Sequence, residues 1–311
     1  MTLLNKPTRI AVGEEIMKLA QEFDFFVLNT DTKSSGLEIF KNRYPDREAT
    51  LGIAEQNLIA TAAGISSNGI KVIVSTFAVF LSLRALEQIR SFVAHPKLNV
   101  TILASHTGLQ VGGDGATHAA VEDLSLMRAI PNMTILQPSD EISARALTKF
   151  ALQFDNPLYI RLHRNSVRSF HNDDYEFKYN VPDIICSSGL DVVIMTTGIV
   201  LEYAIDLHDK LKKRKIKSTV LDFITVKPLN EDVILFYANK AKILVTIEDN
   251  NIIGGFGSSI NDVIVNRSKT KFLKFGIQDR FSSSGSPNEL YKDNKMDVES
   301  MYKSIIKHIS T

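Results

Sequence analysis

Residues 105–118 read S-H-T-G-L-Q-V-G-G-D-G-A-T-H and bring two imidazoles and a carboxylate, His106, Asp114 and His118, into one short stretch. Side chains of these types can hydrogen-bond a polyhydroxylated substrate and relay its protons. Glycines at 108, 112, 113 and 115 let the backbone fold tightly and leave room for a ligand, because glycine tolerates positive φ and close approach. A flexible surface loop with incidental histidines fits the same residues, and their types alone do not decide. A metal site is a third reading, but no carboxylate or histidine cluster with a recurrent ligand spacing surrounds the loop.

Other positions carry a structural and a chemical reading side by side. Glu55, in G-I-A-E-Q-N-L at 52–58, would alone be a carboxylate at a helix start, satisfying backbone N–H groups and the dipole. Phe77 and Phe80 in S-T-F-A-V-F would be core residues on one helical face. G-G-F-G at 254–257 lacks an acidic partner at the spacing of a nucleotide loop and reads as a turn opening a helix. K-K-R-K at 212–215 ends a helix and reads as a solvated face.

The elements that must position these groups follow a simple pattern. Short β-branched runs alternate with amphipathic stretches, which predicts parallel sheets flanked by helices. Strands are expected at 25–29, 71–75, 100–104, 133–137 and 158–162, then at 192–196, 218–222, 243–247 and 272–276. Loops after strands are where open parallel sheets bind ligands. D-T-K-S-S-G, S-T-F-A-V-F, the 105–118 stretch and H-R-N-S occupy such positions. A polar segment with charged, aromatic and proline residues separates the two series and reads as a linker.

Composition bounds the rest. The chain has 311 residues, a net charge of +1 and 44% hydrophobic residues, which suits about two soluble domains of roughly 150 residues. That balance excludes bulk attraction for nucleic acid or acidic lipid. No run approaches the ~20 apolar residues of a membrane helix, and the first residues lack a signal peptide's apolar core, so a cytoplasmic location is expected. The single cysteine, Cys186, has no second thiol for an internal disulfide or a zinc cluster and reads as a small hydrophobe.

Taken in order, the segments resemble the transketolase family across essentially the whole chain. G-I-A-E-Q-N-L resembles the family segment whose glutamate activates the aminopyrimidine of thiamine diphosphate, and S-T-F-A-V-F resembles its aromatic pocket for that ring. S-H-T-G-L-Q-V-G-G-D-G-A-T-H, with V-E-D-L-S-L-M-R-A-I-P-N-M-T-I-L-Q-P-S-D after it, is similar to the family's substrate loop. Gly113-Asp114-Gly115 imitates the opening of the diphosphate and magnesium motif of thiamine enzymes, but Asn132 comes too early to complete it. The family's first domain, with its diphosphate and metal ligands, has no counterpart here. The resemblance therefore implies the smaller, carboxyl-terminal subunit of a split transketolase.

That implies an α/β fold of two doubly wound domains: a pyrimidine-binding domain at 1–165, a linker at 166–186, and a transketolase C-terminal domain at 187–311. It implies Glu55, His106, Asp114 and His118 as catalytic residues and Asp31, Glu55, Phe77 and Phe80 at the cofactor. Arg9, Ser35, His106, Asp114 and Arg164 are implied at the substrate, four of them (Arg9, Ser35, His106 and Arg164) at its terminal phosphate. Thiamine diphosphate, with Mg2+ or Ca2+ held by an amino-terminal partner subunit, is the implied cofactor, and an α2β2 heterotetramer the implied assembly. The implied reaction moves a two-carbon ketol unit from a ketose phosphate to an aldose phosphate. Leu83, where many relatives carry an aromatic residue, and Gly113, where an acidic residue is usual, leave room for a different sugar. Alternatives are a deoxyxylulose-phosphate synthase-like carboligase subunit, the β subunit of a 2-oxo-acid dehydrogenase, and a noncatalytic binding subunit.

Overall fold

Two sheets organise the described residues, which in this computed structural model are 6–32 and 34–309. The opening segment and Lys33 of the D-T-K-S-S-G loop lie outside them. The strands are β1 Phe26–Asn29, β2 Glu48–Thr50, β3 Val72–Phe77, β4 Val100–Ser105, β5 Thr134–Leu136, β6 Leu158–Arg161, β7 Asp183–Ser187, β8 Val192–Thr196, β9 Ser218–Asp222, β10 Thr225–Lys227, β11 Ile243–Asn251 and β12 Lys271–Ile277. The first sheet runs β10-β5-β6-β4-β3-β1-β2 and the second β12-β11-β8-β9-β7. All neighbours are parallel except β10 on β5 and β7 on β9.

The near-continuous apolar strands follow from helices on both faces, which leave no solvated side. Alternation along each strand divides the layers. Ile73, Leu103 and Ile160 face helices Thr8–Leu19 and Glu141–Gln153, while Val72, Val74 and Ile102 face helix Glu55–Ser66. Tyr159, in the same apolar cluster, donates to Asp123 at the start of helix Asp123–Ala129. Each strand expected from sequence is present. The others, β2, β7 and β10, are edge strands: β2 and β10 have three residues each, and β7 is only partly buried.

Strand β7 begins inside the stretch expected to be linker up to residue 186. The aromatic residues that broke the helical pattern there are packing groups: Phe177 and Tyr179 lie 5.2 and 5.1 Å from Phe150 on helix Glu141–Gln153. The two halves also share structure, since β10 from the second half completes the first sheet. Val193, Leu221, Phe223 and Phe256 belong to the same apolar cluster as Leu58 and Ile102. Cys186 is half-buried, and burial pushes its thiol up to about 11, so it stays protonated at neutral pH.

G-G-F-G opens helix Phe256–Ile264, as its turn reading requires. It does have an acidic partner, missed because that partner precedes it on β11. Glu248 accepts from the amides of Phe256 and Gly257 at 2.5 and 2.8 Å and so fills the anion position at the helix start. K-K-R-K straddles the end of helix Leu201–Lys213, where cations complement the dipole.

Candidate active site

Glu55 is the first residue of helix Glu55–Ser66, and its side chain is buried. A carboxylate suits that position because the first-turn amides have no partners of their own within the helix. Its Oε2 accepts from Arg84 Nη1 at 2.5 Å. Arg84 closes helix Ala78–Arg84, and its guanidinium also lies 4.8 Å from the centre of the Phe80 ring. Phe80 and Phe77 are nearly parallel, with centroids 6.0 Å apart. Buried carboxylate, arginine and aromatic pair thus form one connected group.

The loop at 105–118 meets that group from the other side. His106 stacks on Phe77 at 3.9 Å, and His118 stands edge-on to Phe80 at 5.6 Å and Phe77 at 6.3 Å. Ser105 Oγ and His106 Nδ1 are 2.9 Å apart. Burial, then the charges of Arg9, Arg164 and His118, push the His106 pKa down to about 3. His106 is therefore neutral, which corrects any reading of it as a cation in a phosphate pocket. Its backbone φ of 59° is rare for a residue with a side chain. Half-buried His118 shares a 2.9 Å contact with Thr117 Oγ1.

The anion corner is only partly as expected. Arg9 Nε donates to the Arg164 carbonyl at 3.5 Å and Nη1 to the Ser34 carbonyl at 3.3 Å, so the two arginines are neighbours. Arg164 Nη1 donates to Asp114 Oδ2 and to the Val111 carbonyl, both at 2.9 Å. Arg164 thus already braces the 105–118 loop, and Asp114 is its ion-pair partner. Ser35 does not reach the rim. It is buried, and its Oγ lies 2.5 Å from Ser75 Oγ, knitting the loop after β1 to β3. Asp31 is exposed on that same loop.

Arg84 was not foreseen, because an arginine ending a helix has an ordinary surface reading. Its one signal is its place a turn beyond the aromatic pair, in F-A-V-F-L-S-L-R. The loop glycines look like room for a ligand, yet three of them leave room for the second domain. A Cβ at Gly108, Gly112 or Gly115 would meet Asp249 at 1.9 Å, the Gly285 carbonyl at 3.3 Å or Ser284 at 2.6 Å, whereas one at Gly113 meets nothing. Those partners lie more than a hundred residues away, and no local pattern announces them.

Comparison with known proteins places this geometry in a family. Residues 5–169 match the family described as transketolase, pyrimidine binding domain, and residues 183–301 that described as transketolase, C-terminal domain. A protein of Methanocaldococcus jannaschii called "Putative transketolase C-terminal section" is 36% identical over 98% of this chain and 96% of its own length. A 6-deoxy-6-sulfo-D-fructose transketolase subunit from Clostridium sp. (strain MSTE9) is 33% identical over 91% of each. Human transketolase is 32% identical over 96% of this chain, which spans 48% of that protein. A solved structure described as "Split gene transketolase, inactive beta4 tetramer" superposes with a TM-score of 0.90 at 34% identity over 98% of both chains. The chain belongs to the transketolase family, whose pyrimidine-binding and C-terminal domains it carries.

Proposed function

We propose that this chain is the carboxyl-terminal subunit of a two-piece, thiamine-diphosphate-dependent transketolase. The observation that carries the reading is the buried Glu55 carboxylate beside the stacked Phe77 and Phe80, with the imidazoles of His106 and His118 against the same rings. These residues fit one half of the cofactor: a flat aromatic wall for the pyrimidine and a carboxyl group for its ring nitrogen. When bound, thiamine diphosphate supplies a thiazolium carbon that takes up the two-carbon ketol unit. Its diphosphate and metal ion fall to an amino-terminal partner subunit.

Glu55 holds a proton at the ring nitrogen it faces, and the arginine bond fixes the orientation of that carboxyl group. Phe77 and Phe80 exclude water, which strengthens a charge-assisted hydrogen bond there. His106, His118 and Asp114 bind sugar hydroxyls and move protons at them. Arg9 and Arg164 attract the terminal phosphate of an aldose or ketose phosphate. Exposed Ile53 and Leu83, next to Glu55 and Arg84 in sequence, form part of the face that the partner covers. The relative described as an inactive tetramer of one subunit type supports the expectation that this chain alone is inert.

The test is reconstitution. The purified chain should show no ketol transfer from xylulose 5-phosphate, and a matching amino-terminal subunit should restore it. Turnover by the chain alone would overturn the two-piece reading, and reconstituted turnover of pyruvate but not xylulose 5-phosphate would reassign the donor. In the reconstituted enzyme Glu55→Gln should slow exchange of the cofactor C2 proton by about 10²–10⁴-fold, the usual worth of general acid–base assistance. An unchanged exchange rate would remove Glu55 from that role.

A further inference from the structure

A doubly wound sheet binds ligands beyond the carboxyl ends of its strands, where the chain order reverses. In the second sheet that crevice lies past β8 and β11, which pair through Thr196 and Ile247. It is occupied by the first domain's substrate loop. Leu109 N donates to Asp249 Oδ1 at 3.0 Å, and Gly108, at φ 64°, packs so closely that a Cβ would sit 1.9 Å from the same carboxylate. Gln110 Nε2 donates to the Tyr291 hydroxyl at 3.2 Å.

The loop's foot is tied to the same strand. Gly108 N donates to the Ala120 carbonyl at 2.8 Å, and Asn251 N donates to that of Val121 at 2.6 Å. Arg161, held by Asp123, donates from Nη2 to the carbonyls of Ala120 and Asp249 at 3.2 and 2.8 Å. The second domain, which contributes none of the candidate site residues, thus grips the loop between His106 and Asp114.

We propose that Asp249 is a positioning residue for the active site, holding the loop that carries His106, Asp114 and His118 through the Leu109 amide and the contact at Gly108. The inference rests on the transketolase reading for its catalytic consequence, but not for its structural one. A charged acceptor on a backbone amide is among the stronger hydrogen bonds of a fold, and burial removes competing water. The carboxylate leaves a slot that only glycine fills at 108. Burial pushes Asp249 up to about 6 against the opposing charge of Arg161 and the Leu109 bond.

The test compares Asp249→Ala, Asp249→Asn and Gly108→Ala. Hydrogen exchange on the folded, isolated chain reads the Leu109 amide directly. Asp249→Ala should lower its protection about 10–100-fold, the range for losing a hydrogen bond to a charged group, with the amides of β3 and β4 unchanged. Asp249→Asn, which keeps an acceptor oxygen, should retain it. Gly108→Ala should reproduce the loss, and Asp249→Leu, which keeps the side chain's size and removes the acceptor, takes the place of Asp249→Ala if that variant does not fold. With the partner subunit present, Asp249→Ala should raise KM for the sugar phosphate and lower kcat together by about tenfold or more, leave the cofactor's apparent affinity near wild type, and be rescued by Asn. Unchanged Leu109 protection in the folded variants would overturn the inference whether or not the chain is a transketolase. Lost protection with unchanged turnover would overturn the catalytic role. If the wild type shows no ketol transfer with any partner, the functional reading fails while the exchange result still decides whether Asp249 holds the loop.

Discussion

The guanidinium of Arg84 meets the buried carboxylate of Glu55 at 2.5 Å while its other face rests on the Phe80 ring. Glu55 is 1% exposed and Arg84 43%. One partner is thus desolvated while the other keeps contact with water. Removing the arginine leaves a buried charge without its main partner, which costs more than the pair itself contributes. Because Arg84 is 43% exposed, the cost falls below the ~3–5 kcal/mol of breaking a fully buried pair. Arg84→Met should destabilise the chain by about 1–3 kcal/mol, and Glu55→Gln in the same chain should recover much of the loss. Urea unfolding of the single and double variants forms the cycle, and strictly additive effects would mean that the two groups do not depend on each other.

Gly13 supplies a test of how closely helix Thr8–Leu19 approaches the loop after β1. Replacing a mid-helix glycine by alanine ordinarily stabilises by about 0.5–1 kcal/mol. Here the added Cβ would lie 1.8 Å from the Ser35 carbonyl oxygen, a backbone atom that cannot step aside. Overpacking of this kind costs about 1–3 kcal/mol and wins. Gly13→Ala should therefore lower the unfolding midpoint, and a rise would show that the helix and loop are less tightly apposed.

Most of the architecture was legible because both periodicities are strong. Buried strands such as V-T-I-L-A stand out, and the order of glutamate, aromatic and histidine segments identifies the family. What was illegible depends on distant partners. Edge strand β10 reads as three unremarkable residues until β5 lies beside it. The glycines at 108, 112 and 115 look like ligand space until Asp249, Gly285 and Ser284 fill it. Ser35 looks like a rim hydroxyl until Ser75 is found beneath it. Arg164, too, changed character once Asp114 appeared as its partner.

That change alters what Arg164→Ala should do. A simple phosphate contact would make the loss selective for phosphorylated acceptors, since charge-assisted hydrogen bonds contribute about 1.5–3 kcal/mol, or roughly 10–150-fold. The bonds from Arg164 to Asp114 and the Val111 carbonyl add a loop-bracing role that any acceptor would feel. In the reconstituted enzyme kcat/KM should therefore fall for both glycolaldehyde and ribose 5-phosphate, with an additional loss of about tenfold or more for the phosphate ester. Equal losses would reduce Arg164 to loop support.

His171 gives the fold a charge whose loss can be followed with pH. Its Nδ1 lies 3.0 Å from Asp140 and its Nε2 3.5 Å from Asp183, with Asp222 and Tyr175 facing the same cluster. Burial opposes the imidazolium, but the bonds to Asp140 and Asp183 prevail and raise its pKa to about 10. A histidine with a raised folded pKa contributes its full stabilisation below the unfolded value of about 6.5 and loses it as pH rises through the folded value. Asp222 acts in the same direction at lower pH, because burial raises its pKa to about 8, so the stability held by its protonated form is lost as pH rises from the unfolded value of about 4 to about 8. Its Oδ2 accepts from Ser139 Oγ. Stability should accordingly decline from about pH 4 upward through Asp222 and, between about pH 6.5 and pH 10, through His171. His171→Gln should cost roughly 3–5 kcal/mol at pH 6.5, as for breaking a buried pair, and progressively less by pH 9.5, where the wild type has given up most of the same interaction. Urea unfolding of both chains across that range is the measurement. A difference independent of pH would mean that His171 is neutral in the fold and that the cluster is held by uncharged hydrogen bonds.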